Sequence, residues 1–175
     1  MIESLIIKHS QDVFSQGSSP STDNETPLHL ALQNGHMEAA CKLIEQGTDL
    51  SAPDEDGWTS PLHLASDRGY VDVARMLIER SADLTALDGD GWTPLHLASD
   101  QGHVDVARML IECGADLAAQ NNCGYTPLHL VLQMGELDVV RILIEHGADW
   151  AAQNNYGCTL VLPQLWLPTA TNRQP

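Results

Sequence analysis

Residues 104–111 set the pattern from which the rest of the chain can be read. Val104, Ala107, Leu110 and Ile111 fall at i, i+3, i+6 and i+7 and form one apolar face, while Asp105, Arg108 and Glu112 take the wet side. The spacing predicts a helix. Gly114, like Gly47 and Gly147, stands where a left-handed residue ends such a helix, and Ser81 holds that place in one unit. If Ser81 keeps the left-handed geometry, it should cost on the order of 1 kcal/mol. A shorter helix is predicted ahead of each of these, running through Leu28-His29-Leu30-Ala31 and its counterparts until Gly35, Gly69, Gly102 and Gly135 break it. Its start is marked twice. Thr26, Ser60, Thr93 and Thr126 are hydroxyl residues suited to an N-cap, and a proline follows each at the first helical position, where its missing donor costs nothing.

These starts recur at a fixed interval. Thr-Pro-Leu-His occupies 26–29, 93–96 and 126–129, and Ser-Pro-Leu-His occupies 60–63. The prolines at 27, 61, 94 and 127 are spaced 34, 33 and 33 apart. Self-similarity near this period marks a stacked-repeat architecture. Motif and period together resemble the ankyrin repeat family over roughly residues 23–157. The resemblance implies an all-α repeat solenoid: stacked helix-turn-helix units with protruding β-hairpin fingers, usually engaged in protein binding. It also implies that His29, His63, His96 and His129 hydrogen-bond backbone between repeats.

The fingers have their own chemistry. In 54–57, 88–91 and 121–124 an Asp or Asn able to bond its own backbone precedes a glycine, which makes a tight reversal. Thr59-Ser60-Pro61 carries one residue more than its counterparts, so that finger should be longer or bulged, a change surface loops accept cheaply. After Asn154-Asn155-Tyr156-Gly157-Cys158-Thr159 the motif is lost. Pro163 and Pro168 forbid a regular first helix there. Three regions follow: an N-terminal capping helix and linker (1–22), a repeat domain of four full units plus the start of a degenerate fifth (23–159), and an apolar-then-polar tail (160–175). In the first, Ile2, Leu5, Ile6, His9 and Val13 fall near helical spacing. The tail has two readings, an improvised cap folded back over the fourth repeat or the sequel to a truncated array.

Eight Lys or Arg against 24 Asp or Glu give a formal charge of −16. That sign repels phosphate backbones and anionic membrane surfaces, so nucleic-acid and membrane binding are not expected, and it favours a basic protein partner. Cys41, Cys113, Cys123 and Cys158 show no paired spacing and read as thiols of a reducing compartment, with no leader sequence and no stretch long enough to span a membrane. The expected protein is therefore cytoplasmic or nuclear, monomeric and free of cofactors and metals.

Neither catalysis nor calcium binding fits these residues. His63, Ser66 and Asp67, repeated as His96, Ser99 and Asp100, contain a triad's residue types, but they recur because the repeat recurs. With a finger glycine set at position six of a calcium loop, position twelve is His63 or Leu97 rather than the required Glu. A recognition surface remains. In ankyrin-like proteins contacts usually come from finger tips and the solvent-facing end of the first helix. Carried over, this implies Glu55, Asp56, Trp58, Asp90, Trp92 and Tyr125 from the fingers, and Asp67, Arg68, Asp100, Gln101, Gln133 and Met134 from the helices. Trp58, Trp92, Tyr125 and Cys158 are read as equivalent positions, so that aromatics flanked by carboxylates form a row suited to Arg or Lys. The leading expectation is a non-enzymatic module binding a basic peptide or protein surface on the finger tips and concave helix face of repeats two to four. The alternative is a fragment or structural spacer of a larger repeat protein.

Overall fold

Each of the four hydroxyl–proline pairs starts a helix. The computed structural model describes residues 26–54 and 59–159; the expected N-terminal helix and linker, Glu55, Asp56, Trp58 and the tail after Thr159 lie outside them. The first helices are α1 (Pro27–Gln33), α3 (Pro61–Asp67), α5 (Pro94–Asp100) and α7 (Pro127–Met134). The second helices are α2 (Met37–Glu45), α4 (Val71–Glu79), α6 (Val104–Glu112) and α8 (Leu137–Glu145). The backbone N–H of His29 donates to Thr26 Oγ1, as that of His96 does to Thr93 Oγ1, satisfying a donor that the first turn leaves open.

Each first helix packs on the second helix of its own unit and on the first helices of its neighbours, and the second helices stack likewise. The stack therefore forms one continuous core. Leu28, Leu62, Leu95 and Leu128 are fully buried in one row, and Leu43, Leu77, Leu110 and Leu143 in another. Ala31, Ala65 and Ala98, with Ala40, Ala74 and Ala107, keep side chains small where helices must approach closely. The expected apolar face of α6 needs one amendment. Val106 is fully buried while Val104 is half-buried, because neighbours on both sides of a stacked repeat widen the dry stripe.

The turn after each second helix is left-handed: φ is +82° at Gly47, +90° at Gly114, +91° at Gly147 and +63° at Ser81. A Cβ at any of those glycines would meet nothing within 4 Å, so Ser81 carries backbone strain without a steric clash. Left-handed geometry costs a residue with a Cβ roughly 1–2 kcal/mol, and glycine gives back about 0.5–1 kcal/mol through the freedom of the unfolded chain. Ser81→Gly should therefore stabilise the protein by about 0.5–1 kcal/mol in urea unfolding. A lower midpoint for the variant would show that Ser81 contributes something beyond backbone geometry.

The fingers are tight turns, and among the described residues only Gln153 and Thr159 form a β-bridge. They close on a side chain. Asp88 Oδ1 accepts from the backbone N–H of Asp90 and Trp92 at 2.9 and 2.7 Å, and Asn121 and Asn154 repeat the arrangement. Successive fingers are also tied to one another. Asn122 N donates to Asp90 O at 3.0 Å and Asn155 N to Cys123 O at 3.1 Å, with Asn155 Nδ2 reaching Asn122 O at 3.0 Å.

The extra residue, expected between the finger and the helix cap, falls before Thr59 instead. The closing bond of the 54–59 finger runs from Asp54 N to Thr59 O, five residues on, against four in Asp88 N to Trp92 O and Asn121 N to Tyr125 O. The insertion is thus absorbed inside the finger, and the chain regains step by Thr59. No helix among the described residues is long and apolar enough to cross a membrane.

Candidate functional site

Three histidines, His29, His63 and His96, fix where the next finger stands on the first-helix face, and His129 shares their helix-start bonds. In α3 the imidazole Nδ1 of His63 accepts from Ser60 N at 3.2 Å and lies 2.8 Å from Ser60 Oγ. His96 with Thr93 and His129 with Thr126 match it. A backbone N–H can only donate, so Nδ1 is the acceptor and the ring proton sits on Nε2. That proton goes to the next finger: His29 to Thr59 O at 3.0 Å, His63 to Trp92 O at 3.0 Å and His96 to Tyr125 O at 2.9 Å. Burial holds His63, His96 and His129 below the usual imidazole range, in each case against a smaller opposing pull from backbone carbonyls. Both nitrogens of His63 and His96 are engaged by these bonds, and the Ser66 and Ser99 hydroxyls have no hydrogen-bond partner among the described residues. The Ser, His and Asp of each unit do not assemble into a relay.

The same bonds correct one equivalence. The carbonyl that His63 and His96 hold belongs to Trp92 and Tyr125, and the carbonyl that His29 holds belongs to Thr59. Thr59 is therefore the counterpart of Trp92 and Tyr125, which moves that register one letter past Trp58. Among the described residues the aromatic row begins at Trp92. Even there the rings are only half-buried and lean on their own repeats: Trp92 lies 6.1 Å from His96 at 54°, and Tyr125 lies 5.8 Å from His129, edge-on.

On the helix side, α3 and α5 bring Asp67 and Asp100 together from adjacent repeats. Burial, and then the charge of Asp67, raise the Asp100 carboxyl above its usual range. His103 Nε2 donates to Asp67 O at 2.9 Å and crosses so close to Gly69 that a Cβ there would lie 2.6 Å from the ring, which fixes this end of α3. Arg68 Nε approaches Asp67 Oδ2 at 3.2 Å and Gln101 Nε2 approaches Asp100 Oδ2 at 3.2 Å; Arg68 and Gln101 themselves are exposed, and such contacts are weak and exchangeable. Gln133 and Met134 are exposed at the end of α7, one unit further, and Asp90 is exposed at a finger tip.

One exposed finger-tip aromatic is missing from the sequence reading. Tyr156, 69% exposed, stands at the tip of the last finger with its ring 6.4 Å from Tyr125. Its signal was the alignment of 154–157 with 121–124, where the tip residue is Cys123.

Stacked helix pairs, an inter-repeat histidine ladder and side-chain-closed fingers at a 33-residue step define a repeat protein. The family model described as "Ankyrin repeats (3 copies)" matches residues 1–88 and 82–154, and the chain belongs to the ankyrin repeat family. A search of the curated proteins finds no match. Ankyrin repeats are generally protein–protein interaction modules.

Proposed function

We propose that the chain is a non-enzymatic recognition module that takes a basic segment of a partner protein on the face built by α3, α5, α7 and their fingers. The packing of α3 on α5 carries this: Asp67 and Asp100 end equivalent helices of adjacent repeats, and burial, then the charge of Asp67, raise the Asp100 carboxyl. A guanidinium or ammonium placed between them would relieve that repulsion, and a formal charge of −16 would speed its approach. The half-buried rings of Trp92 and Tyr125 offer apolar faces at the base of the same fingers, and Tyr156 extends them towards the last tip.

Selection of random twelve-residue peptides on the immobilised protein tests the reading. Binders should be enriched in Arg and Lys. Replacing both acids (Asp67→Asn with Asp100→Asn) should weaken a selected peptide by about 1–3 kcal/mol and flatten the salt dependence of its association rate. Binders without basic enrichment, or a double variant that binds equally well at every salt concentration, would remove the acidic pair from the site.

A further inference from the structure

The turn between α1 and α2 carries a reactive pair that the other units lack. Asn34-Gly35 is the only Asn-Gly step in the sequence, and its counterparts are Arg68-Gly69, Gln101-Gly102 and Met134-Gly135. In such a step the backbone nitrogen of the glycine can attack the side-chain amide carbon of the asparagine. The bond from Gly35 N to Asn34 Cγ forms, the bond from Cγ to Nδ2 breaks, and the amide nitrogen leaves as ammonia with the Gly35 amide proton. One water then opens the cyclic imide at either carbonyl, giving Asp or isoaspartate. No oxidant or cofactor is needed. Glycine favours the attack because no side chain shields its nitrogen.

The fold holds this chemistry off. Asn34 and Gly35 are exposed, so water reaches them, but the reacting groups are committed elsewhere. Asn34 Nδ2 donates to Leu30 O at 2.8 Å, and Gly35 N donates to Leu32 O at 3.2 Å. His36 N donates to Ala31 O at 2.8 Å and completes the helix stop, with Gly35 left-handed at φ +71°. Asn34 ψ is 0°, and closing the imide ring requires it to rotate well away from that angle. The rotation swings every atom from Gly35 onward and breaks the Gly35 and His36 bonds. Reaction is therefore open only to molecules whose α1–α2 turn has opened.

We propose that Asn34 is a modification site gated by opening of the first unit, and that its conversion to a carboxylate weakens the closure of that unit afterwards. A carboxylate only accepts, so it cannot donate to Leu30 O. It also places negative charge at the C-terminal end of α1, where the helix dipole is negative already. Isoaspartate adds a further backbone atom inside a turn whose register is set by the bond from His36 N to Ala31 O. Either product lowers the stability of the turn whose opening produced it.

The full chain held at neutral pH, natively and in concentrated urea, tests this by peptide mass spectrometry that separates Asn, Asp and isoaspartate. Asn34 should convert ahead of every other asparagine in urea, and about tenfold or more slowly in the native chain. Leu32→Ala removes a fully buried side chain of α1 without touching the reacting step, and should raise the native rate severalfold towards the rate in urea. Asn34→Asp should lower the urea midpoint, with a folding constant smaller by roughly fivefold. Equal native and urea rates would overturn the gate, as would earlier conversion of another asparagine or a Leu32→Ala rate no faster than the native one. An unchanged midpoint for Asn34→Asp would overturn the weakening of closure. Should Leu32→Ala unfold the first unit outright, its rate should match the rate in urea, and a slower one would count against the gate.

Discussion

His96→Ala is expected to destabilise the protein by roughly 3–5 kcal/mol, and His129→Ala by about 1–2 kcal/mol less. His96 is fully buried in the centre of the stack. Removing its ring leaves Tyr125 O with Asn121 N as its remaining donor, and Thr93 N and Oγ1, themselves buried, without their acceptor. Each abandoned buried group costs roughly 1–3 kcal/mol, and the space vacated adds a cavity term. His129 makes the same bonds inside its own unit, but among the described residues its Nε2 has no hydrogen-bond partner, so its loss forfeits the local part. Because stability in a repeat array is close to a sum of unit and interface terms, the difference between the two variants measures the inter-repeat bond. Urea unfolding of both, scored by circular dichroism, gives it directly. Equal losses would mean that the histidine-to-finger bond contributes nothing to coupling, and that the ladder serves only to start each helix.

The contrast between those two histidines also shows what the sequence makes visible. Helix starts, turn glycines and finger closure are local chemistry: a hydroxyl and a proline, a left-handed residue, an Asx side chain over its own backbone. All of it can be read from a few adjacent letters, down to the +63° φ at Ser81. The extra residue at the 54–59 finger was countable, but the point at which the chain regains step was not, because that depends on which carbonyl His29 selects across 30 residues. Trp58 was set level with Trp92 for that reason. The Asn122 and Asn155 bonds between fingers were likewise invisible, since nothing in Asn121-Asn122 distinguishes the residue that closes its own turn from the one that reaches back to the previous finger. At the recognition face, the 33-residue step placed Asp67 and Asp100 in equivalent positions. Their electrostatic contact needed the packing of α3 on α5.

Acidification should unfold the protein in two separable stages, and the first is set by the ladder. His63, His96 and His129 have folded-state proton affinities lowered, chiefly by burial, from a free value of 6.5. Above that value neither state carries the proton and the full stability is present. As pH falls below it, the unfolded chain takes up protons that the folded chain refuses, so stability decreases. Each histidine can contribute a slope of up to about 1.4 kcal/mol per pH unit until the pH reaches its folded-state value, and three in parallel set a ceiling of about 4 kcal/mol per unit. Asp100 acts in the opposite sense: its raised affinity lets the folded state take a proton first, which offsets a little of the loss as the carboxylate range is approached. Asp49 and Asp83, whose side chains accept from Ser51 and Thr85, have lowered affinities relative to a free value of 3.8, so their contribution is lost only below that range. Urea midpoints measured from pH 8 to pH 3 should therefore hold steady down to 6.5, fall below it, and fall again below 3.8. His63→Gln should remove up to one proton's worth of the first slope and leave the second intact. A midpoint that stays level between pH 7 and 5 would mean that the fold accepts charged imidazoles, which the backbone N–H groups that donate to each Nδ1 argue against.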